Sequence, residues 1–512
     1  MHRALSVNEI VGVVLDFFGP NAVDRVRDSR TLCSLAQTCK TLHDPALDVL
    51  WRVQRTLWPV LLCLPHELLD IQVDPEYLYE GGSVASNPMT HYYDRHVQVR
   101  FTRAILPSEF ERFNYYAKRI RRFNFDKHAK SPFDAIRDLA AYGGIHSGPL
   151  FPNLRDLFWP DGVDALPDAC LFMCKGLERL ILSVSYEREP SLHRFLEYLG
   201  HAAPSLSQIC FFSESKQPRL HYRPTTFTSA NLQLRHLEYF TSSIPLSPSD
   251  LVHLASLDRL KKLEITLSSQ EDTQRPLHLD VRPYPSLRWL DVTADDFGQG
   301  ISFLRWLRNC SLRAVSITAN RASSLGPSIE AALQLIEDIT DPDVLTHLSL
   351  DTVDTGLDGC VIDIKTLLKN LGSFTNIDSF TLDVPCTIAG ADYQLDLLAQ
   401  AWPQIRHLSL GKCPSAERTS FTVRGLTAFA RHCPKLRELR VAVTADKAAY
   451  NLDFEERSES LAKLDLGKSL FVNRDAAFGF VDRLFPTLEH LSLVPRTRIT
   501  LDGSLDGGQV RL

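Results

Sequence analysis

Four histidines, His236, His347, His407 and His490, follow the first residue of a recurring apolar phrase at the same offset. Imidazoles that converge to about 2 Å from one ion make a zinc site. These four fall in the fourth, eighth, tenth and thirteenth copies of the phrase, so no two stand on neighbouring copies. Their alignment reads as an accident of the phrase. Gly467-Lys468-Ser469 has the ending of a phosphate-binding loop, but Ala462 stands where that loop needs its first glycine. Cys170 and Cys174 lack the spacing and the second pair of a zinc knuckle, and Cys174 reads as packing. Lys118, Arg119, Arg121, Arg122, Lys127 and Lys130, interleaved with Phe123 and Phe125, form a basic cluster that suits nucleic acid or nuclear import. The alternation fits better a strand with its aromatic side buried and its basic side in water. No Ser-His-Asp, paired-carboxylate or zinc-protease arrangement stands at useful spacing. No catalytic residue, metal or cofactor is expected.

The element that positions all of these is the phrase itself: apolar, two variable residues, apolar, one variable residue, apolar. It begins at Leu154, Leu177, Leu206, Leu234, Leu260, Leu287, Leu312, Leu345, Ile377, Ile405, Leu436, Leu461 and Leu488. The mean spacing is about 28 residues, within the range of leucine-rich repeats. Ile120-Phe123-Phe125 reads as a degenerate first copy, which makes 13–14 repeats. The last two apolar residues are two apart, so they share one side of a short strand. Between phrases, Leu192, Phe195, Leu196 and Leu199 have helical spacing, as do segments 301–308, 364–371, 392–401, 423–432 and 475–485. Pro152, Pro204, Pro285, Pro403, Pro434 and Pro486 each stand two residues before a phrase, where proline ends a helix. One unit buries too little to fold alone. Three aliphatic side chains contribute roughly 5–9 kcal/mol, while ordering about 28 backbones opposes folding by roughly 1–2 kcal/mol each. Only stacking closes that gap.

The composition, 44% hydrophobic and 23% charged, is that of a globular chain with a sizeable core. A net charge of −6 argues against nucleic acid as the main partner. Eleven cysteines without framework spacing read as reduced thiols, and with no signal peptide the expected location is cytoplasmic or nuclear. No apolar run approaches the roughly 18 residues of a membrane span.

The first fifty residues are a different object. Ile10, Val13, Val14, Phe17 and Phe18 have helical spacing; Leu32, Leu35, Ala36 and Cys39 predict a second helix; Asp44-Pro45 is expected to open a third that carries Leu47, Leu50 and Trp51. In order and spacing, Glu9-Ile10-Val11, Val14-Leu15, Phe17-Phe18, Leu32, Leu35, Cys39-Lys40 and Leu50-Trp51 resemble the F-box, without the family's Leu-Pro near the start. The resemblance implies docking on a Skp-type adaptor and, through it, a cullin, with Leu5, Val7, Ile10, Val14, Leu15, Phe17, Phe18, Leu32, Leu35, Leu50 and Trp51 as the adaptor-binding residues. Phe101-Thr102-Arg103, Ile105-Leu106-Pro107-Ser108, Glu111-Arg112-Phe113, Tyr116-Ala117 and Arg119-Ile120-Arg121 resemble a segment of the expanded, mushroom-type fungal F-box proteins. The copy Ile405-Leu408-Leu410, with Cys413, Gly425-Leu426, Phe429-Ala430 and Cys433-Pro434, resembles the cysteine-containing leucine-rich repeat found mostly in F-box proteins.

The expected fold is α/β: a leucine-rich-repeat solenoid, a horseshoe with parallel strands on the concave face and helices outside, behind a small all-α F-box. The expected domains are the F-box at 1–55, a helical and loop bridge with N-terminal cap at 56–119, the solenoid at 120–494 and a tail at 495–512. Strand residues that point away from the core form the candidate surface for a protein target: Lys262, Glu264, Trp289, Asp291, His347, Asp351, Glu438 and Arg440. Trp289 is the best single anchor, since exposed Trp is a common hot spot. The expected function is the substrate-recognition subunit of a Skp–cullin–F-box ubiquitin ligase. The alternative is a repeat scaffold in which the N-terminal helices only cap the stack.

Overall fold

The computed structural model describes residues 8–18, 25–73, 97–125, 133–143, 149–160, 166–183, 189–212, 234–267, 283–307, 310–321, 325–353, 360–411, 421–445 and 456–493. Apolar phrases become strands with a constant offset. Strands begin two residues after the first apolar residue: Asp156 after Leu154, Lys262 after Leu260, Trp289 after Leu287, His407 after Ile405, Glu438 after Leu436. The cause is a repeated turn. The first apolar residue donates its N–H to the carbonyl three residues earlier, as Leu154 does to Phe151 at 3.2 Å, Leu287 to Tyr284 at 3.2 Å and Leu436 to Cys433 at 3.2 Å. Pro152, Pro285 and Pro434 lie inside these turns, where a missing N–H removes no helix or ladder bond.

The fourth phrase departs from this. Its strand is Tyr239–Leu246, and Tyr239 is in register with Gln208. Leu237 therefore takes the first apolar place and donates to Leu234 at 3.1 Å. The phrase is Leu237-Phe240-Ser242, three residues later than the spacing predicts. The shift has a chemical origin: the third apolar place holds a serine, 2% exposed. The Ser242 hydroxyl accepts from Ile244 N at 3.2 Å and donates to Ile244 O at 2.8 Å, so the hydroxyl is satisfied within its own strand. His236 consequently leaves the histidine column, and Tyr239 stands in its place.

The residues gather into two compact units, Met1–Arg219 with Thr225–Ile244, and Leu220–Pro224 with Pro245–Leu512. In the first, Val53–Gln54, Arg122–Asn124, Asp156–Trp159, Arg179–Ser183, Gln208–Phe212 and Tyr239–Leu246 pair in that order, all parallel. Ile120-Phe123-Phe125 is thus a full repeat, with all three residues buried. In the second, the parallel order is Lys262–Leu267, Trp289–Ala294, Ala314–Ala319, His347–Thr352, Ser379–Asp383, His407–Leu410, Glu438–Arg440, Lys463–Asp465 and His490–Ser492. Exposure alternates with period two: Leu263 and Ile265 are buried, Lys262, Glu264 and Thr266 are not. Helices lie between successive strands of the chain, among them Glu189–Ala202, Leu325–Ile339, Ile364–Leu371 and Asp392–Ala401, and their apolar sides are buried. Each unit is a stretch of leucine-rich-repeat solenoid.

Three helices precede the first ladder: α1 (Asn8–Asp16), α2 (Arg25–Thr38) and α3 (Lys40–Trp51). Val11, Leu15, Leu32, Ala36, Ala46, Leu47 and Val49 form their common core. Asp44-Pro45 does not open α3. The helix starts at Lys40 because Cys39, at φ −158° and ψ 160°, breaks it from α2, and Pro45 lies inside it. A proline one turn into a helix removes a single intrahelical bond, which tertiary packing tolerates. No linker follows α3: Val53 pairs with Arg122 two residues on. The bridge holds an element the sequence reading missed, an antiparallel pair of strands, Leu69–Val73 with Val97–Phe101. Its signal was legible, since both segments alternate apolar and polar residues.

Candidate binding surfaces

Along α1 and the turn that follows it the apolar residues divide between two sides. Val11 and Leu15 are 1% and 2% exposed, whereas Ile10, Val13, Val14 and Phe17 are 44%, 63%, 46% and 79% exposed. The second set has spacing i, i+3, i+4, i+7, one continuous stripe. Burying such a stripe against a partner is worth roughly 1.5–3 kcal/mol per large side chain. Ile10, Val14 and Phe17, expected from the sequence to bind an adaptor, are exposed in this stripe together with Val13. Leu15 and Leu32 lie in the helical core, each 2% exposed, so they hold the three helices together and present no surface. Phe18, Leu35, Leu50 and Trp51 are half-buried against that core. Leu5 and Val7 lie outside the described residues.

The stripe's support is tied to the ladder. Trp51 stacks on Tyr116 with ring centroids 4.4 Å apart. Arg119 forks across α3, pairing with Asp44 at 2.6 Å and with Asp48. The Tyr115 hydroxyl donates to Asp44 at 3.0 Å, and the Arg119 guanidinium lies 4.5 Å over the Tyr115 ring. These bonds, the Tyr115 hydroxyl first, hold the Asp44 carboxyl below its ordinary pKa. Arg119 and Arg122, the latter 2.8 Å from Asp156, thus make internal ion pairs.

In the second unit the strand register sets the outward columns. One runs Lys262, Trp289, Ala314, His347, Ser379, His407, Glu438, Lys463, His490. The next runs Glu264, Asp291, Ser316, Ser349, Thr381, Ser409, Arg440, Asp465. Trp289 is 39% exposed between Lys262 and the small Ala314. Lys262 pairs with Glu264 at 3.2 Å. Burial, then the Glu264 carboxylate, push the Asp291 carboxyl above its ordinary pKa. His347 is exposed, 3.7 Å from Asp378, and Asp351 is half-buried two columns further on.

The expected residues Glu438 and Arg440 make separate polar contacts that together cross four neighbouring strands. Arg440 reaches Asp383 at 3.0 Å and Asp465 at 3.1 Å, Ser409 donates to Asp383 at 2.5 Å, and Lys463 binds Glu438 at 2.8 Å. The Lys463 bond in the first place lowers the Glu438 pKa. Asp383 and Ser409 escaped the sequence reading because the contact is diagonal, two positions out of register.

The cysteines of the phrase are packing groups. The Cys174 thiol donates to Leu154 O at 3.1 Å and the Cys433 thiol to Ala399 O at 3.5 Å, each a carbonyl of the preceding repeat. Burial raises both thiols, Cys433 to about 12. Cys413, the other landmark of that repeat, lies outside the described residues. Ser469, of the phosphate-loop mimic, accepts from Val443 N at 2.8 Å and so joins two repeats. Among the described residues no group of three or more His, Cys, Asp or Glu is placed to hold a metal ion, and no helix is long and apolar enough to cross a membrane.

No protein-family model matches the chain, and no curated protein does. Among solved structures, an internalin (InlF) from Listeria monocytogenes str. 4b F2365 is similar at 15% identity over 64% of this chain and 78% of that one, with a TM-score of 0.35. A chain of the Drosophila Toll–Spatzle complex is similar at 14% identity over 66% of this chain and 40% of that one, with a TM-score of 0.32. Likenesses this distant say nothing of what the chain binds; its parallel ladder and buried phrases make it a leucine-rich-repeat protein in fold.

Proposed function

We propose that the chain is the substrate-recognition subunit of a Skp–cullin–F-box ubiquitin ligase, acting in the cytoplasm or nucleus. The α1 stripe would dock on a Skp-type adaptor and the outward strand columns would hold a protein target. The observation that carries this reading is the exposed row Ile10, Val13 and Val14 on α1, continued by Phe17 in the turn after it, while Val11 and Leu15 on the other side are used in the helical core. It is supported by the F-box order of residues around that helix and by the mushroom-type segment that follows. The mechanism is proximity: a held target meets a charged ubiquitin-conjugating enzyme at high effective concentration. The chemistry belongs to that enzyme, and the chain contributes binding alone.

Co-purification with a Skp-type adaptor tests the proposal. Wild type recovers the adaptor, and Ile10→Asp abolishes recovery with unchanged circular dichroism and unfolding midpoint. A wild type that recovers no adaptor sinks it. One observation favours the second reading, a scaffold whose helices cap the stack: Val53–Gln54 closes the edge of the first ladder directly behind α3. Under that reading Ile10→Asp changes nothing, and truncation after α3 exposes the ladder edge and unfolds the first unit.

A further inference from the structure

A second, two-stranded parallel sheet stands apart from the main ladder. Cys360–Asp363 pairs with Cys386–Ala389, and the two cysteines are direct register partners. Each strand leads into the helix of its own repeat, Ile364–Leu371 and Asp392–Ala401. Burial alternates along both strands, so Cys360 and Cys386 share the side that holds the buried Ile362 and Ile388. Adjacent strands lie about 4.8 Å apart, inside the Cα separation that a disulfide spans. Both cysteines are the first residues of their strands, where the backbone can close the remaining fraction of an ångström.

The two thiols differ in access. Cys386 is 5% exposed, and burial, then the neighbouring Cys360 sulfur, push its thiol up to about 12. Cys360 is half-exposed. A Cβ placed on Gly326 would come within 3.3 Å of the Cys360 sulfur, so the absence of a side chain there leaves that sulfur its room, against the first turn of the Leu325–Ile339 helix.

We propose that Cys360 and Cys386 form a reversible disulfide that staples two successive repeats in response to a peroxide oxidant. The Cys360 thiol ionises and its thiolate attacks one peroxide oxygen; the S–O bond forms, the O–O bond breaks, and the departing hydroxide takes up the proton that Cys360 released, giving water. The Cys386 sulfur then attacks the Cys360 sulfenic acid; the S–S bond forms, the S–O bond breaks, and the departing hydroxide takes the Cys386 proton as water. Two thiols are oxidised, one peroxide is reduced, and two waters form. The bond encloses the whole repeat between the two strands, a chain segment that the reduced protein leaves unconstrained when it unfolds.

The test treats the full chain with hydrogen peroxide, alkylates remaining thiols, and maps peptides without reduction. The expected result is a Cys360–Cys386 linked peptide that dithiothreitol removes, with the unfolding midpoint raised by about 5 °C. Cys360→Ser, at the half-exposed position, should fold normally, yield no link at Cys386 and lose the shift. In Cys386→Ser, dimedone should trap a sulfenic acid on Cys360; if that variant does not fold, the wild-type map and Cys360→Ser decide alone. The proposal is overturned if Cys360 proceeds to sulfinic acid while Cys386 remains alkylatable, or if either residue links to a different cysteine.

Discussion

Trp51, the last residue of α3, stacks on Tyr116 at 4.4 Å, and Arg119 three residues later grips Asp44 and Asp48 on the same helix. The helical module is therefore fastened to the first repeats by a ring pair and a forked ion pair. Arg119→Ala should lower stability by about 1–2 kcal/mol, since bonds to charged groups exceed neutral ones but both aspartates are more than half exposed. Arg119→Lys should recover less than half, because an ammonium cannot fork to two carboxylates. Urea unfolding gives the first quantity; faster amide exchange confined to α3 locates it.

The two sides of α1 predict opposite responses. Leu15→Ala removes a side chain 2% exposed and should destabilise by about 2–4 kcal/mol. Phe17→Ala removes a larger side chain that is 79% exposed and should change stability by no more than about 0.5 kcal/mol. Equal losses in chemical denaturation would mean that Phe17 is covered, and the proposed docking on that stripe would be lost with it.

Ser242 gives a prediction that runs against hydrophobicity. Its hydroxyl satisfies both backbone groups of Ile244 at a site 2% exposed. Ser242→Ala should therefore destabilise by about 1–2 kcal/mol, through a buried backbone group left with one partner fewer. Ser242→Val completes the apolar phrase and should destabilise as well. A gain in the urea midpoint for either variant would mean that burial, not the hydroxyl, decides this strand.

These sites also show how far the sequence is legible. Leu260-Leu263-Ile265 announces its strand because the apolar phrase and the buried side of the strand are the same residues. Leu234 misleads because it fills the turn before the phrase, where many repeats put a buried residue such as Phe151 or Tyr284, and Ser242 hides the true third place. On α1, spacing marks Ile10, Val11, Val14 and Leu15 alike as apolar; which side turns inward depends on α2 and α3, which no local pattern encodes. Glu438 and Arg440 were readable as outward residues. The partners of Arg440, Asp383 and Asp465, were not readable as a network, because arginine length and strand register together decide that contact.

Asp291 carries the pH prediction. It lies in register between Glu264 and Ser316, and burial, then the Glu264 charge, raise its pKa above the unfolded value; Ser316 and Lys262 offset part of this. A carboxyl with a raised native pKa binds its proton more tightly in the folded chain. Its contribution to stability is then present below the unfolded value of about 3.9, falls as pH rises through the raised native value, and stays low above it. Asp291→Asn removes the ionisation and should stabilise the protein at pH 7 by up to about 0.5 kcal/mol, a small figure because solvent screens a site on an open strand face. The gain should shrink as pH falls and be gone at about pH 3, below the unfolded value, where both states bind the proton. Urea midpoints for both proteins at the two pH values check it. A loss of stability at pH 7 would show that the Asp291 charge is held by Lys262 and Ser316 more strongly than burial opposes it.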